Sequence, residues 1–187
     1  ILKLKDCSHL SCLPTYMRNL TNLRHLDITD CDKLTKMPIG MGKLISLRTL
    51  GLFIVGEESG CGITDLTHLS VQNKGSRHLA NLRRLTISAC PKLEFSHEDD
   101  ADFQNLISLR FLGLNGLDKM TYLPPLPLLT SLVLGNCSAP TTLEDWMPNL
   151  TSLRSLRIGG CENLESLSDR LQQLTALTKL VILRCEI

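Results

Sequence analysis

One short phrase, Leu-x-Leu or Leu-x-Ile, returns along the whole chain and constrains its fold more than any other feature. It stands at Leu2-Lys3-Leu4, Leu26-Asp27-Ile28, Leu50-Gly51-Leu52, Leu85-Thr86-Ile87 and Leu112-Gly113-Leu114. It continues at Leu132-Val133-Leu134, Leu156-Arg157-Ile158 and Leu180-Val181-Ile182, with Leu69-Ser70-Val71 as a degraded member. Successive first leucines are separated by 24, 24, 19, 16, 27, 20, 24 and 24 residues. A further leucine precedes most of them by three residues, as at Leu23, Leu47, Leu82, Leu109, Leu153 and Leu177. Leucine is abundant, at about 40 of 187 residues, yet abundance alone does not place nine phrases in one register.

The frame is that of the leucine-rich repeat, L-x-x-L-x-L-x-x-N/C-x-L, with its usual period of about 20–29 residues. In each phrase the two leucines fall on one side of a short strand and the residue between them on the other. A single repeat cannot bury its apolar side, so repeats must stack. The expected fold is an α/β leucine-rich-repeat solenoid, a curved horseshoe with one parallel β-sheet on the concave face. Its convex segments are expected to be irregular or briefly helical, because Pro14, Pro38 and Pro124 discourage regular helix. Nine rungs at about 4.8 Å span on the order of 40 Å, enough for a partner footprint of about 800 Å².

Residues 1–187 read as one repeat domain of about nine repeats, irregular around 53–80. Gly56, Gly60 and Gly62 with Glu57 and Glu58 read as a surface loop. The longest step carries Glu98-Asp99-Asp100-Ala101-Asp102, read as a protruding acidic loop that is either solvated or a contact for a basic surface. The chain lacks a starting Met and shows a strand frame at both ends without a polar cap. The expectation is a piece of a longer protein, or a chain that associates end to end through uncapped repeats.

Six of the eight cysteines, Cys7, Cys31, Cys90, Cys137, Cys161 and Cys185, occupy the N/C position of the frame. A small polar group there can bond the backbone as the chain leaves the strand. No C-x-x-C pair offers a zinc site, and unpaired buried thiols suit a reducing compartment. Cys12 and Cys61 fall outside this ladder. Sequons at Asn19, Asn136 and Asn149 are few enough to arise by chance, and Asn136 lies beside the ladder. The expected location is the cytoplasm.

Composition removes several functions. Lys+Arg (20) and Asp+Glu (19) nearly balance, and aromatics are only 4%, which argues against nucleic-acid binding. No run approaches the roughly 20 apolar residues of a membrane span. Gly40-Met41-Gly42-Lys43 lacks the first glycine and the closing hydroxyl of a phosphate loop. The five histidines have no ligand or triad spacing. The expectation is no enzyme, no cofactor and no metal.

What remains is the exposed strand face, with a protein as its partner. Its candidate binding residues are His25, Asp27, Phe53, His68, Arg84, Phe111, Asn115, Val133, Arg157 and Lys179. Phe53 and Phe111 stand out as possible outward anchors among small residues. Gly51, Gly113, Gly135 and Gly159 are expected to leave the sheet bare. Arg24, Arg48, Arg83, Arg110 and Arg154 form another column, read either as a solvated edge or as a contact for an acidic segment. Trp146 reads as a loop residue covering the convex side.

Two long phrases are more specific. Leu20-Thr21-Asn22-Leu23-Arg24-His25-Leu26-Asp27-Ile28, followed by Met37-Pro38-Ile39-Gly40-Met41-Gly42-Lys43-Leu44, resembles the N-terminal repeats of plant nucleotide-binding leucine-rich-repeat disease-resistance proteins of the coiled-coil class. Leu50-Gly51-Leu52-Phe53-Ile54-Val55-Gly56, then Gly62-Ile63-Thr64-Asp65-Leu66, is similar to that class's marker after the third repeat. Leu150-Thr151-Ser152-Leu153 through Cys161-Glu162-Asn163-Leu164-Glu165-Ser166-Leu167 is similar to its C-terminal repeats. Ser168 departs from the family's proline, and Leu66 to Leu79 looks shortened. The resemblance implies a protein-recognition domain in innate immunity. Its partners would be a pathogen effector or host target and, for autoinhibition, the nucleotide-binding module of the same receptor. The alternative is a stand-alone cytosolic adaptor or a ubiquitin-ligase substrate-recognition module.

Overall fold

The computed structural model describes residues 1–54, 79–88, 90, 92–95, 103–104, 106–167 and 169–185. Two compact units divide the chain, one of Ile1–Thr86 with Ala101–Ser108 and one of Ile87–Asp100 with Leu109–Ile187. The described strands are β1 (Leu2–Lys3), β2 (His25–Asp27), β3 (Thr49–Phe53), β4 (Arg84–Ser88), β5 (Phe111–Asn115), β6 (Ser131–Gly135), β7 (Ser155–Gly159) and β8 (Lys179–Leu183). Their order in the sheet is their order in the chain. Parallel pairing with the expected register joins Leu2 to Leu26, Leu26 to Leu50, Leu112 to Leu132, Leu132 to Leu156 and Leu156 to Leu180. The degraded phrase at Leu69 and the surface and acidic loops lie outside the described residues.

Strand alternation sorts the side chains as the phrase requires. Leu26, Ile28, Leu85, Ile87, Leu112, Leu156 and Ile158 have no exposed surface. The leucine three places earlier is also buried at Leu23, Leu47, Leu82, Leu109 and Leu153. Burying each leucine side chain stabilises by about 1.5–3 kcal/mol. In β8 the pattern weakens, with Leu180 and Leu183 exposed.

Each described turn after a strand uses one conformation. Asp6, Asp30, Gly116, Asn136, Gly160 and Arg184 all have positive φ, between 48° and 64°. The next residue is the ladder cysteine, except after Gly116, where Leu117 follows. Thiols of the ladder donate to carbonyls: Cys31 Sγ to Leu4 O at 3.0 Å, Cys90 Sγ to Ser88 O at 3.2 Å, and Cys137 Sγ to Gly135 O at 3.3 Å. All six ladder cysteines are free thiols, and the four at Cys31, Cys90, Cys137 and Cys161 are buried. A hydrogen bond to Cys137 and then burial push the Cys161 thiol up, so it stays protonated.

On the side away from the strands the described helical segments are short 3-10 turns: η1 (Thr15–Asn19), η2 (Met41–Lys43), η3 (Glu144–Asn149) and η4 (Asp169–Gln173). Pro14, extended at φ −67° and ψ 137°, opens η1, which buries Met17. Thr142 accepts the Glu144 N–H at 3.0 Å to begin η3. Trp146, read from the sequence as a loop residue, sits inside η3, only 1% exposed. Its Nε1–H donates to Thr121 O at 3.1 Å, so the buried indole leaves no donor unpaired.

Candidate functional site: the exposed strand face

Side chains between the inward leucines emerge on one face, and in each unit that face has its own chemistry. In unit 1 a cleft of about 600 Å³ is lined by Lys3, His25, Asp27, Thr49, Gly51 and Arg84, among others. His25 Nδ1 lies 3.1 Å from Thr49 Oγ1 on the adjacent rung. Asp27 Oδ1 accepts the Thr29 hydroxyl at 2.7 Å and the Thr29 N–H at 3.2 Å. Those two bonds, with the charges of Lys5 and Lys3, hold the Asp27 carboxyl below its ordinary range. Asp27 is therefore a fixed anion on the cleft wall. Gly51 keeps the floor low: a Cβ there would come within 3.2 Å of Asp27 Oδ1 and 3.3 Å of Thr29 Oγ1.

In unit 2 the registers of β5–β8 stack the face into columns. Phe111, Ser131, Ser155 and Lys179 form the first column, and Val133, Arg157 and Val181 follow Gly113 in the second. Asn115, Gly135, Gly159 and Leu183 form the third. Phe111 and Val133 are half-buried, while Asn115, Arg157 and Lys179 are exposed. Asn115 Oδ1 accepts the Asn136 amide at 3.0 Å, and a Cβ on Gly135 would stand 2.7 Å from that same oxygen. Val133 thus stands beside Arg157, with Phe111 and Lys179 at the two ends of the neighbouring column, over a surface lowered at Gly135 and Gly159.

Two expectations need correction. Phe53 is not an outward anchor, for it is fully buried. In β3 the in–out alternation breaks, with Leu52 half-buried while both Phe53 and Ile54 are buried. The phenyl ring has the larger apolar area to remove from water and takes the inward place. Gly113, expected to leave the sheet bare, is buried as well. His68 lies outside the described residues. Of the remaining candidates, His25, Asp27 and Arg84 gather in unit 1, and Phe111, Asn115, Val133, Arg157 and Lys179 in unit 2.

Sequence reasoning missed the partners that hold the face in place. Thr29 fixes Asp27, Thr49 meets His25, and Asn136 holds Asn115. The Asp-x-Thr spacing at Asp27 signals such a side-chain-to-backbone turn. The bonds between rungs have no local signal, since their partners lie 21–24 residues apart. Among the described residues, no three His, Cys, Asp or Glu side chains gather in a way that would hold a metal ion. No helix among them is long and apolar enough to cross a membrane.

No family model and no curated protein matches the chain. Among solved structures it is similar to a leucine-rich-repeat protein of Leptospira interrogans, at 20% identity and a TM-score of 0.53. That match covers 95% of this chain and 47% of the bacterial protein, so the chain spans about half of that protein's length. A plant peptide hormone receptor, RGFR1 in complex with RGF2, is also similar, at 13% identity and a TM-score of 0.34, with 93% of this chain and 42% of the receptor covered. With the strand order and the register above, the bacterial likeness defines the fold as a leucine-rich-repeat solenoid.

Proposed function

We propose that the chain is the protein-recognition domain of a plant innate immune receptor, cytoplasmic, sensing pathogen effectors or their host targets. The observation that carries the reading is the strand face of unit 2, where Val133 adjoins Arg157 and the column that runs from Phe111 to Lys179 lies beside them, next to bare Gly135 and Gly159. An arginine packed against an apolar side chain, with an aromatic on the same face, is the kind of centre on which protein interfaces concentrate their binding energy. The resemblance of the repeat phrases to coiled-coil-class disease-resistance proteins supports the choice of receptor. The free thiols of the ladder suit a reducing compartment. In such a receptor the same repeats also contribute to autoinhibition by packing on the nucleotide-binding module. A ligand would then release them only through higher affinity for the active state.

The test is a receptor carrying this domain, with Phe111→Ala and Arg157→Ala introduced singly and together. Each is expected to weaken the effector-triggered response about tenfold or more, the loss typical of an interface anchor, with protein accumulation unchanged. A response untouched by the double variant places recognition off this face.

A further inference from the structure

The floor of the unit 1 cleft is Gly51, and oxygen atoms surround the space its missing side chain leaves. An atom at its Cβ position would lie 3.2 Å from Asp27 Oδ1 and 3.3 Å from Thr29 Oγ1. Thr49, two residues earlier in β3 and so on the same face, lines the cleft with it. Thr86 of β4 lines it from the other side. The Arg48 and Thr49 N–H groups both donate to Arg24 O, and those of Arg83 and Arg84 repeat the pattern on Arg48 O. The first pair of bonds accompanies the pairing of Thr49 with His25. The second sets Arg84 beside Thr49, and therefore Thr86 beside Gly51.

These oxygens are set to accept. The Thr29 hydroxyl gives its proton to Asp27, so its own oxygen is left as an acceptor. Thr49 keeps a lone pair whichever partner donates in its bond with His25 Nδ1. Asp27, held ionised by the Thr29 bonds and by nearby Lys5 and Lys3, can only accept. An anion placed over Gly51 would stand against that carboxylate. A primary ammonium fits instead, because it brings three donors to acceptors ranged around one point. The rim makes the opposite demand. Lys3 pairs in register with Asp27, Arg84 stands beside Thr49, and both are exposed. A bare cation would be repelled there, whereas one with carboxylates next to it would satisfy pit and rim together.

We infer that the pit over Gly51 is a subsite for one lysine side chain of a partner protein, a lysine flanked by Glu or Asp whose carboxylates face Lys3 and Arg84. The inference rests on the reading of the strand face as a protein-recognition surface and names what its unit 1 part takes. An arginine fits less well, since its planar five-donor fork is larger than the space of one missing side chain. A nucleic acid would bring phosphate against the Asp27 carboxylate.

The experiment uses the whole chain and a fluorescent peptide, Gly-Glu-Lys-Glu-Gly, followed by anisotropy at low ionic strength. Binding is expected. Replacing the peptide's lysine by norleucine, or both its glutamates by glutamine, is expected to weaken it about tenfold or more. On the protein, Asp27→Asn removes the charge but keeps an oxygen for the Thr29 bonds, and Gly51→Ala fills the pit. Each is expected to weaken binding about tenfold, and Thr86→Val about threefold. Urea unfolding of each variant separates lost binding from lost folding. If Gly51→Ala destabilises the chain, Asp27→Asn and the norleucine peptide decide the outcome. The inference is overturned if the peptide does not bind, if the norleucine peptide binds equally well, or if Asp27→Asn binds as wild type does. Free lysine competing as strongly as unlabelled peptide overturns it too, for the site would then be one for an amino acid. The peptide assay reads Asp27 and Gly51 in unit 1 while the receptor test above reads Phe111 and Arg157 in unit 2, so either reading can fail with the other intact.

Discussion

Unit 1 and unit 2 carry the same repeat but build it to different degrees. The pairs β1–β2 and β2–β3 each register over two residues, whereas β5–β6, β6–β7 and β7–β8 each register over five. The inward positions are equally apolar in both, so leucine content is not the cause. At the end of β2 the Asp27 side chain captures the Thr29 N–H and hydroxyl, and a side-chain bond of this kind competes with the ladder. Where β6 and β7 end in glycine, no side chain interferes. The row ahead of the strands differs as well. Arginine follows arginine in unit 1, while in unit 2 threonine alternates with it, Thr130 and Thr178 donating their hydroxyls to Arg110 O and Arg154 O at 2.9 and 3.1 Å. Position in the repeat determines where a side chain sits, and its chemistry then determines whether it serves the ladder or is left facing outward.

The largest test of this contrast is Trp146→Ala. It removes the biggest buried side chain of unit 2 and is expected to cost about 3–5 kcal/mol, read as a lower urea midpoint. Trp146→Phe keeps most of the apolar contact but loses the bond to Thr121, so about 1 kcal/mol should go. A loss below that for the alanine variant would mean that η3 does not support the rungs beside it.

Next in size is Asp27→Ala, expected to lower stability by about 0.5–1.5 kcal/mol at neutral pH. The sign with pH follows from the depressed carboxyl. Folding favours the ionised form, so its contribution is complete above the unfolded-state value of about 3.9. That contribution is lost as pH falls through the lower folded-state value. Wild type and variant should therefore converge on acidification. A difference that persists at strongly acidic pH would assign the effect to packing.

The smallest expected change is a gain. Of the described residues in the left-handed turns that follow the strands, Arg184 alone is neither Gly, Asn nor Asp. Arg184→Gly relieves the steric cost and should raise stability by about 0.5–1 kcal/mol. Asn136→Gly should not do so, because it discards the amide bond to Asn115. Thermal unfolding of the two variants side by side distinguishes them, and a gain in both would deny that bond any net value.

Much of the fold was legible before any coordinates. The Leu-x-Leu phrase located the described strands and their register, because strand alternation and stacking leave one consistent solution. The cysteines at a constant offset announced the buried ladder. The site was legible only as a face: Arg84, Arg157 and Lys179 emerge exposed as the alternation demands, yet Phe53 does not. Its burial results from a break in alternation at the end of β3, where two apolar neighbours compete for the inside and local pattern cannot say which wins.

The sequence by itself determined the repeat, the inward leucines, the thiol ladder and the residues that share the strand face, since all of these follow from the period of a strand and of the repeat. Only the tertiary structure decided which side chains on that face are held by partners some twenty residues away, such as His25 by Thr49 and Asn115 by Asn136. It also decided that Trp146 is a buried keystone of a short helix and that Phe53 points inward. Those outcomes depend on distances between rungs, which exist only once the chain has stacked.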